Sequence, residues 1–401
     1  MKSILLTIIP LFILHSSFAQ TFNWGHSQGG AGLESTSGIA EDGLGNLYVV
    51  GGFNGTVDFD PGAGIFELTS IGASDIYIQK LDTSGNFIWV KSFGSIAGDN
   101  SNTIHLDVDA NILISGFFYN TIDFDPGIGV SNLTSNGSSD IFVLKLTPDG
   151  NFIWAKSIGG SGAESINSLV PDDAGNLYLS GYFHNTIDGD PGAGIFNLTS
   201  NGLDDVLIEK LDASGNFIWA KSFGGTTHDT PGNLALDHLG DIYVNGSFEG
   251  LVDIDPGLAT YYVTSDGFSD AFILKLDNSG NYQWSKDIGS TSFERGTTLA
   301  VDEQNNIYAS GSFYGTYVDF NPGTAAPAYL HSAGGSDIYI VKIAMDGEFQ
   351  WAKSIGSTGS QFPYSIAYNP SGFLYLTGSF EGTVDFDPGL ASDFLVSAGA
   401  A

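Results

Sequence analysis

GNLYVVGGFNGTVDFDPG (45–62) and SDIYIQKLDTSGNFIWVKSFG (74–94) recur, with small changes, down the whole chain, and their spacing decides the fold. All six tryptophans stand on one ladder, Trp24, Trp89, Trp154, Trp219, Trp284 and Trp351, at steps of 65 residues and a last step of 67. A second ladder, Asp58, Asp123, Asp188, Asp253, Asp319 and Asp385, opens the motif VDFDPG or a close variant. Ten of the twelve basic residues fall on two more: Lys80, Lys145, Lys210, Lys275, Lys342 and Lys91, Lys156, Lys221, Lys286, Lys353. A fixed period of this length marks a repeat architecture, so 401 residues are one array and not two or three unrelated domains of ~150 residues.

Within a repeat the pattern is all β. Residues 38–41, 47–53, 75–81 and 87–93 read as strands, with turn chemistry at DGLGN (42–46) and DTSGN (82–86). No sustained 3.6-residue period follows the first twenty residues. Four strands with two apolar faces suit a blade stacked between two others. Propeller blades of the WD40 and kelch kinds take ~40–50 residues. The surplus of about twenty is the stretch 54–74, read as a two-stranded excursion between the second and third strands. The predicted fold is therefore an all-β β-propeller of about six four-stranded blades, the last incomplete, with a β-solenoid as the alternative. The strand around Trp24 is expected to close the ring against residues 364–380.

Composition narrows the function. Lys+Arg is 12 against Asp+Glu at 45, a net charge of −33, which repels nucleic-acid backbones and anionic lipid. There is no cysteine, which excludes disulfides, Cys-zinc sites and thiol nucleophiles. Residues 1–19 read as a signal peptide: Lys2, an apolar run from Ile4 to Leu14, then small residues at Ser17 and Ala19. An uncut membrane anchor is the alternative. Residues 20–401 are then one exported propeller domain with no later membrane-spanning stretch.

The recurring unit resembles the SBBP-type β-propeller repeat of proteins secreted by Bacteroidota, over about residues 21–401. The resemblance implies a propeller, export and often surface display through a separate C-terminal sorting domain, but no established activity. Ala401 aligns with Ser74, so the sixth repeat stops before its third strand and no sorting domain follows.

Candidate chemistry centres on the acidic ladders. The seven histidines share no ladder position, and no GxSxG or HExxH motif is present. Asp60-Pro61-Gly62 suits a type II turn. Two aspartates two residues apart share one face of a strand and could serve a glycosidase, but an active site breaks symmetry and this pair recurs. Asp75, Asp140, Asp205, Asp270 and Asp337 form a third acidic ladder. Were it to meet the excursion, oxygen ligands for Ca²⁺ would gather. The candidate calcium ligands are Asp58, Asp60, Asp123, Asp125, Asp188, Asp190, Asp253, Asp255, Asp385 and Asp387, with repeat five weakest because Asn321 replaces the second Asp. The competing reading is turn-capping plus pairing with the ladder lysines. Each Trp reads as core, with a ladder lysine stacked on its indole. The functional expectation is a secreted or cell-surface, non-catalytic scaffold that binds a protein or glycan. The rivals are a propeller glycoside hydrolase or lyase and a structural adhesin-like module.

Overall fold

The computed structural model describes residues 24–27, 29–322, 326–389 and 392–399. The leader at 1–19 lies outside the described residues. All described regular structure is β. The first blade pairs Glu34–Glu41, Leu47–Phe53, Asp75–Leu81 and Phe87–Phe93 in that spatial order, all antiparallel. The same order repeats from 100 to 160, 164 to 223, 230 to 288 and 294 to 355, giving five complete blades among the described residues. A sixth unit holds only the hairpin Gln361–Asn369 with Phe373–Phe380 and its excursion.

The predicted excursion is present. Thr56–Asp58 pairs with Glu67–Thr69, and in blades two and three the second and third strands run on into it without a break. It also ties neighbours together. Gly159 and Gly160, ending blade two, pair with Asp188 and Ile187 in the excursion of blade three, and Gly29 and Gly30 pair with Asp58 and Val57.

The cores lie between blades. Ile76, Ile78 and Phe93 of the first blade pack with Ile104, Ile112 and Phe142 of the second, and the pattern repeats at each later junction. This explains the near-continuous apolar third strands: Asp75–Leu81 and Asp270–Leu276 are buried at every residue, sandwiched within the sheet and between blades.

Ring closure is not as expected. Ile39 is 62% exposed, although its ladder mates Ile104, Leu169, Leu234, Leu299 and Ile366 are at most 6% exposed against the preceding blade. Tyr375 is 58% exposed where Tyr48, Tyr178, Tyr243 and Tyr308 are at most 7%. Among the described residues, then, these outer faces of the first and sixth units do not cover one another. Trp24 does not reach residues 364–380; its indole Nε1 donates to the Thr83 carbonyl at 3.2 Å, and with His26 it covers the free face of blade one. It does so because that face presents the glycine turn at Gly85, matching the turns on which Trp89, Trp154, Trp219 and Trp284 rest.

Candidate functional site

The DxDPG acids cap their own loop. Asp58 Oδ1 accepts from the Asp60 and Phe66 N–H groups at 3.0 and 2.8 Å, and Asp60 Oδ1 accepts from Gly62 N–H at 2.8 Å. Asp123 and Asp125, Asp188 and Asp190, Asp253 and Asp255, and Asp385 and Asp387 repeat these bonds. The turn is not type II, because Gly62, Gly127, Gly192, Gly257 and Gly389 lack the positive φ that type demands. Two residues after Gly62, Gly64 leaves room for the carboxylate in blade one, where a Cβ would fall 2.0 Å from Asp60 Oδ2, while repeat four carries Ala259 at this position.

The third ladder does not join these loops. Among the described residues no three acidic or histidine side chains gather at metal-binding distance. Asp75 and its mates meet instead a ladder absent from the expectations, the acid that opens each following blade. Asp75 faces Asp99, Asp140 faces Glu164, Asp205 faces Asp229 and Asp270 faces Glu294; in the last junction Asp337 meets Gln361. All are at most 2% exposed. Burial, with the partner's charge adding to it, pushes Glu164 and Glu294 up to about 7 and Asp229 to about 6. Burial likewise lifts Asp140, Asp205, Asp270 and Asp337 to about 6.

The ladder lysines serve the opposite end of the third strand. In four of the five complete blades the lysine of the first ladder lies over a tyrosine, not a tryptophan: Lys80 is 4.9 Å from the ring centre of Tyr48, Lys210 4.6 Å from Tyr178, Lys275 5.0 Å from Tyr243 and Lys342 4.7 Å from Tyr308, while Lys145 of blade two faces Leu113. They reach the next blade's turn, as in Lys80 to Pro148 O at 3.1 Å, or an Asp of their own blade, as in Lys145 to Asp107 at 2.9 Å. The DxDPG acids take no part in these ion pairs.

Against this symmetry one cluster stands out. Two basic residues are off the ladders, Lys2 and Arg295, and Arg295 is the only arginine in the chain. It sits second in the first strand of blade five, where other repeats carry Ser35, Asn100, Ser165 and Thr230. Around it a cavity of about 520 Å³ is lined by Phe268, Ser292, Phe293, Ser312, Tyr314 and Phe362. Phe268 and Phe293 lie parallel, ring centres 4.5 Å apart at 9°, and Tyr314 stands edge-on to Phe293 at 6.3 Å. Phe268 is 63% exposed. The backbone fixes the group: Phe268 N–H donates to Ser292 O, and Tyr314 N–H to Phe293 O. Phe293 replaces Leu33, Gly98, Ala163, His228 and Ser360 of the other repeats; Phe268 replaces Ala73, Ser138, Leu203 and Gly335. Strand alternation turns Glu294 inward and Arg295 outward. Arg295 makes no ion pair among the described residues, although acids outnumber bases almost fourfold. The signal for this site in the sequence is the base that falls off the ladder.

No family model matches the chain. It is 24% identical over 438 aligned residues, 90% of its length, to the uncharacterized WD repeat-containing protein L264 of Acanthamoeba polyphaga mimivirus. It is 24% identical over half its length to the regulatory protein FlaEY of Caulobacter vibrioides. The chain spans about a third and a fifth, respectively, of those two proteins. Among solved structures, it is similar to a subtype N10 neuraminidase-like protein of a bat influenza A virus at 8% identity and a TM-score of 0.38, covering 88% of this chain and 95% of that one. The blades and their order make the chain a β-propeller-type repeat protein. Among the described residues no helix is long and apolar enough to cross a membrane.

Proposed function

We propose that this protein is an exported, SBBP-type propeller scaffold that binds a ligand without transforming it. The Arg295 cluster carries the reading: it departs from the repeat, it is concave, and it exposes aromatic rings with a few polar groups, the make-up of a binding pocket. The raised carboxyls that could serve acid–base chemistry are sealed at the blade junctions, out of reach of a substrate. Export rests on the leader, and the blade-by-blade repetition supplies a rigid frame for the pocket. The test is binding to glycan and peptide arrays by the parent and by a Phe268→Ser/Phe293→Ala variant matched for melting temperature. Binding that the variant loses, with the ligand recovered intact, supports the reading. Pocket-independent binding, or cleaved ligand, overturns it.

A further inference from the structure

Resting on that reading, we propose that the pocket takes an acidic sugar at the end of a glycan, a pyranose bearing one carboxylate. Arg295 presents a planar fork of donors that matches a carboxylate's two oxygens, and its charge is left uncompensated. Phe268 and Phe293 are stacked face to face, and the outer ring, Phe268 at 63% exposed, offers a flat apolar face to solvent on which the C–H face of a pyranose can lie. Ser292, Ser312 and Tyr314 set hydroxyls around the same space, where ring hydroxyls need donors and acceptors. About 520 Å³ holds one or two sugar units.

Charge limits the ligand to a single acid. The chain carries −33, so a polyuronate would lay its further carboxylates over an acidic surface. Within the pocket lining no acid is present, and Glu294 and Asp270 beneath it are buried. A lone carboxylate in the pocket therefore meets Arg295 with little opposition, and salt screens the more distant charges beyond ~8 Å.

The experiment is calorimetric titration with glucuronic acid linked to one neutral sugar, at physiological salt. Its companions are the carboxyl-reduced disaccharide, the 6-sulfated neutral disaccharide, a tetragalacturonate and a tripeptide ending in free Phe. The expected result is millimolar or tighter binding of the uronate, at least tenfold weaker for the carboxyl-reduced form and for tetragalacturonate. Arg295→Gln should lose the same tenfold, and Arg295→Lys should recover only part of it because an ammonium lacks the fork. Both variants change an exposed side chain, and their melting temperatures should match the parent. Equal binding of the neutral disaccharide, untouched by Arg295→Gln, overturns the acidic-sugar assignment and leaves the binding scaffold standing. Preference for the sulfate or for the peptide overturns the assignment in favour of that ligand. No binding of the uronate overturns it as well, and only failure on both arrays sinks the scaffold reading.

Discussion

A glycine at each turn between third and fourth strands meets two demands at once. Gly85, Gly150, Gly215, Gly280 and Gly347 have φ between 72° and 89°. Each also lies under the ladder tryptophan before it, so that a Cβ on Gly280 would stand 3.2 Å from the Trp219 ring. Gly280→Ala should therefore cost about 2 kcal/mol, roughly half from the left-handed backbone and half from crowding the indole. Gly372→Ala is the control: its φ is 90°, but nothing lies within 4 Å of the added methyl, so only the backbone cost of about 1 kcal/mol applies. Denaturant unfolding of the two variants reads the difference, and equal losses would remove any role for the tryptophan contact. A second residue breaks the repeat from inside. In blade one Gln79 donates its amide to the Phe59 carbonyl. In blade three the counterparts are Glu209 and Gly189, and both Glu209 oxygens are buried without a partner. Burial, then the charges of Asp190 and Asp188, push this carboxyl well above its usual range, so it holds a proton where Gln79 holds an amide. Glu209→Gln should raise stability at pH 8; a loss there would refute the protonated state. Ladder residues such as Trp89 and Asp60 are legible in the sequence because their spacing repeats. Their partners are less so: Lys80 pairs across the sheet with both Tyr48 and Trp89, and only the side-chain geometry selects the tyrosine. Arg295 is hidden for the opposite reason, since reading ladders discards whatever departs from them.

At the scale of the elements, each junction has a lysine at one end of the third strand, and the first four have a buried acid pair at the other. The acid end sets the pH response. Asp140, Asp205, Asp229, Asp270 and Asp337 at about 6, with Glu164 and Glu294 at about 7, bind protons in the folded chain that the unfolded chain has already released by pH 5. The folded state thus carries more protons between pH 4 and 7, and stability must fall as pH rises through that window. The turn acids act in the reverse sense. Asp107 and Asp302 are lowered because, although burial opposes it, their asparagine and lysine hydrogen bonds win, and their contribution is lost only as pH falls below about 4. The melting temperature should peak near pH 4 and drop by at least ~5 °C by pH 8. Nature supplies the test variant at the last junction, where Gln361 fills the acid's place and its amide donates to Ser357 Oγ at 3.0 Å and Glu381 O at 3.3 Å. Glu164→Gln should stabilise at pH 8 and do little at pH 5. A melt that is flat from pH 5 to 8 in the parent would show these acids ionised at no cost. None of this is visible in the sequence, because the acids opening each blade alternate between Asp and Glu and end in Gln, which blurs the ladder.

For the whole molecule, the blade order is what the repeat predicts, while closure depends on surfaces the repeat does not describe. An array whose units touch only their neighbours behaves as a one-dimensional chain of junctions, so its stability is set by how many sides of each blade are covered. Leu169 is fully buried between blades two and three, and its mate Ile39 on the first blade is 62% exposed. Leu169→Ala should therefore cost about 3 kcal/mol, and Ile39→Ala no more than about 0.5 kcal/mol, since little apolar area returns to water. The same logic orders local opening: amides of residues 34–41 and 361–380 should exchange first, and those of blades three and four last. Hydrogen exchange followed by mass spectrometry resolves these segments. Comparable losses from the two substitutions, with strong protection of 361–380, would mean that the last hairpin meets blade one in solution and that the ring is closed after all.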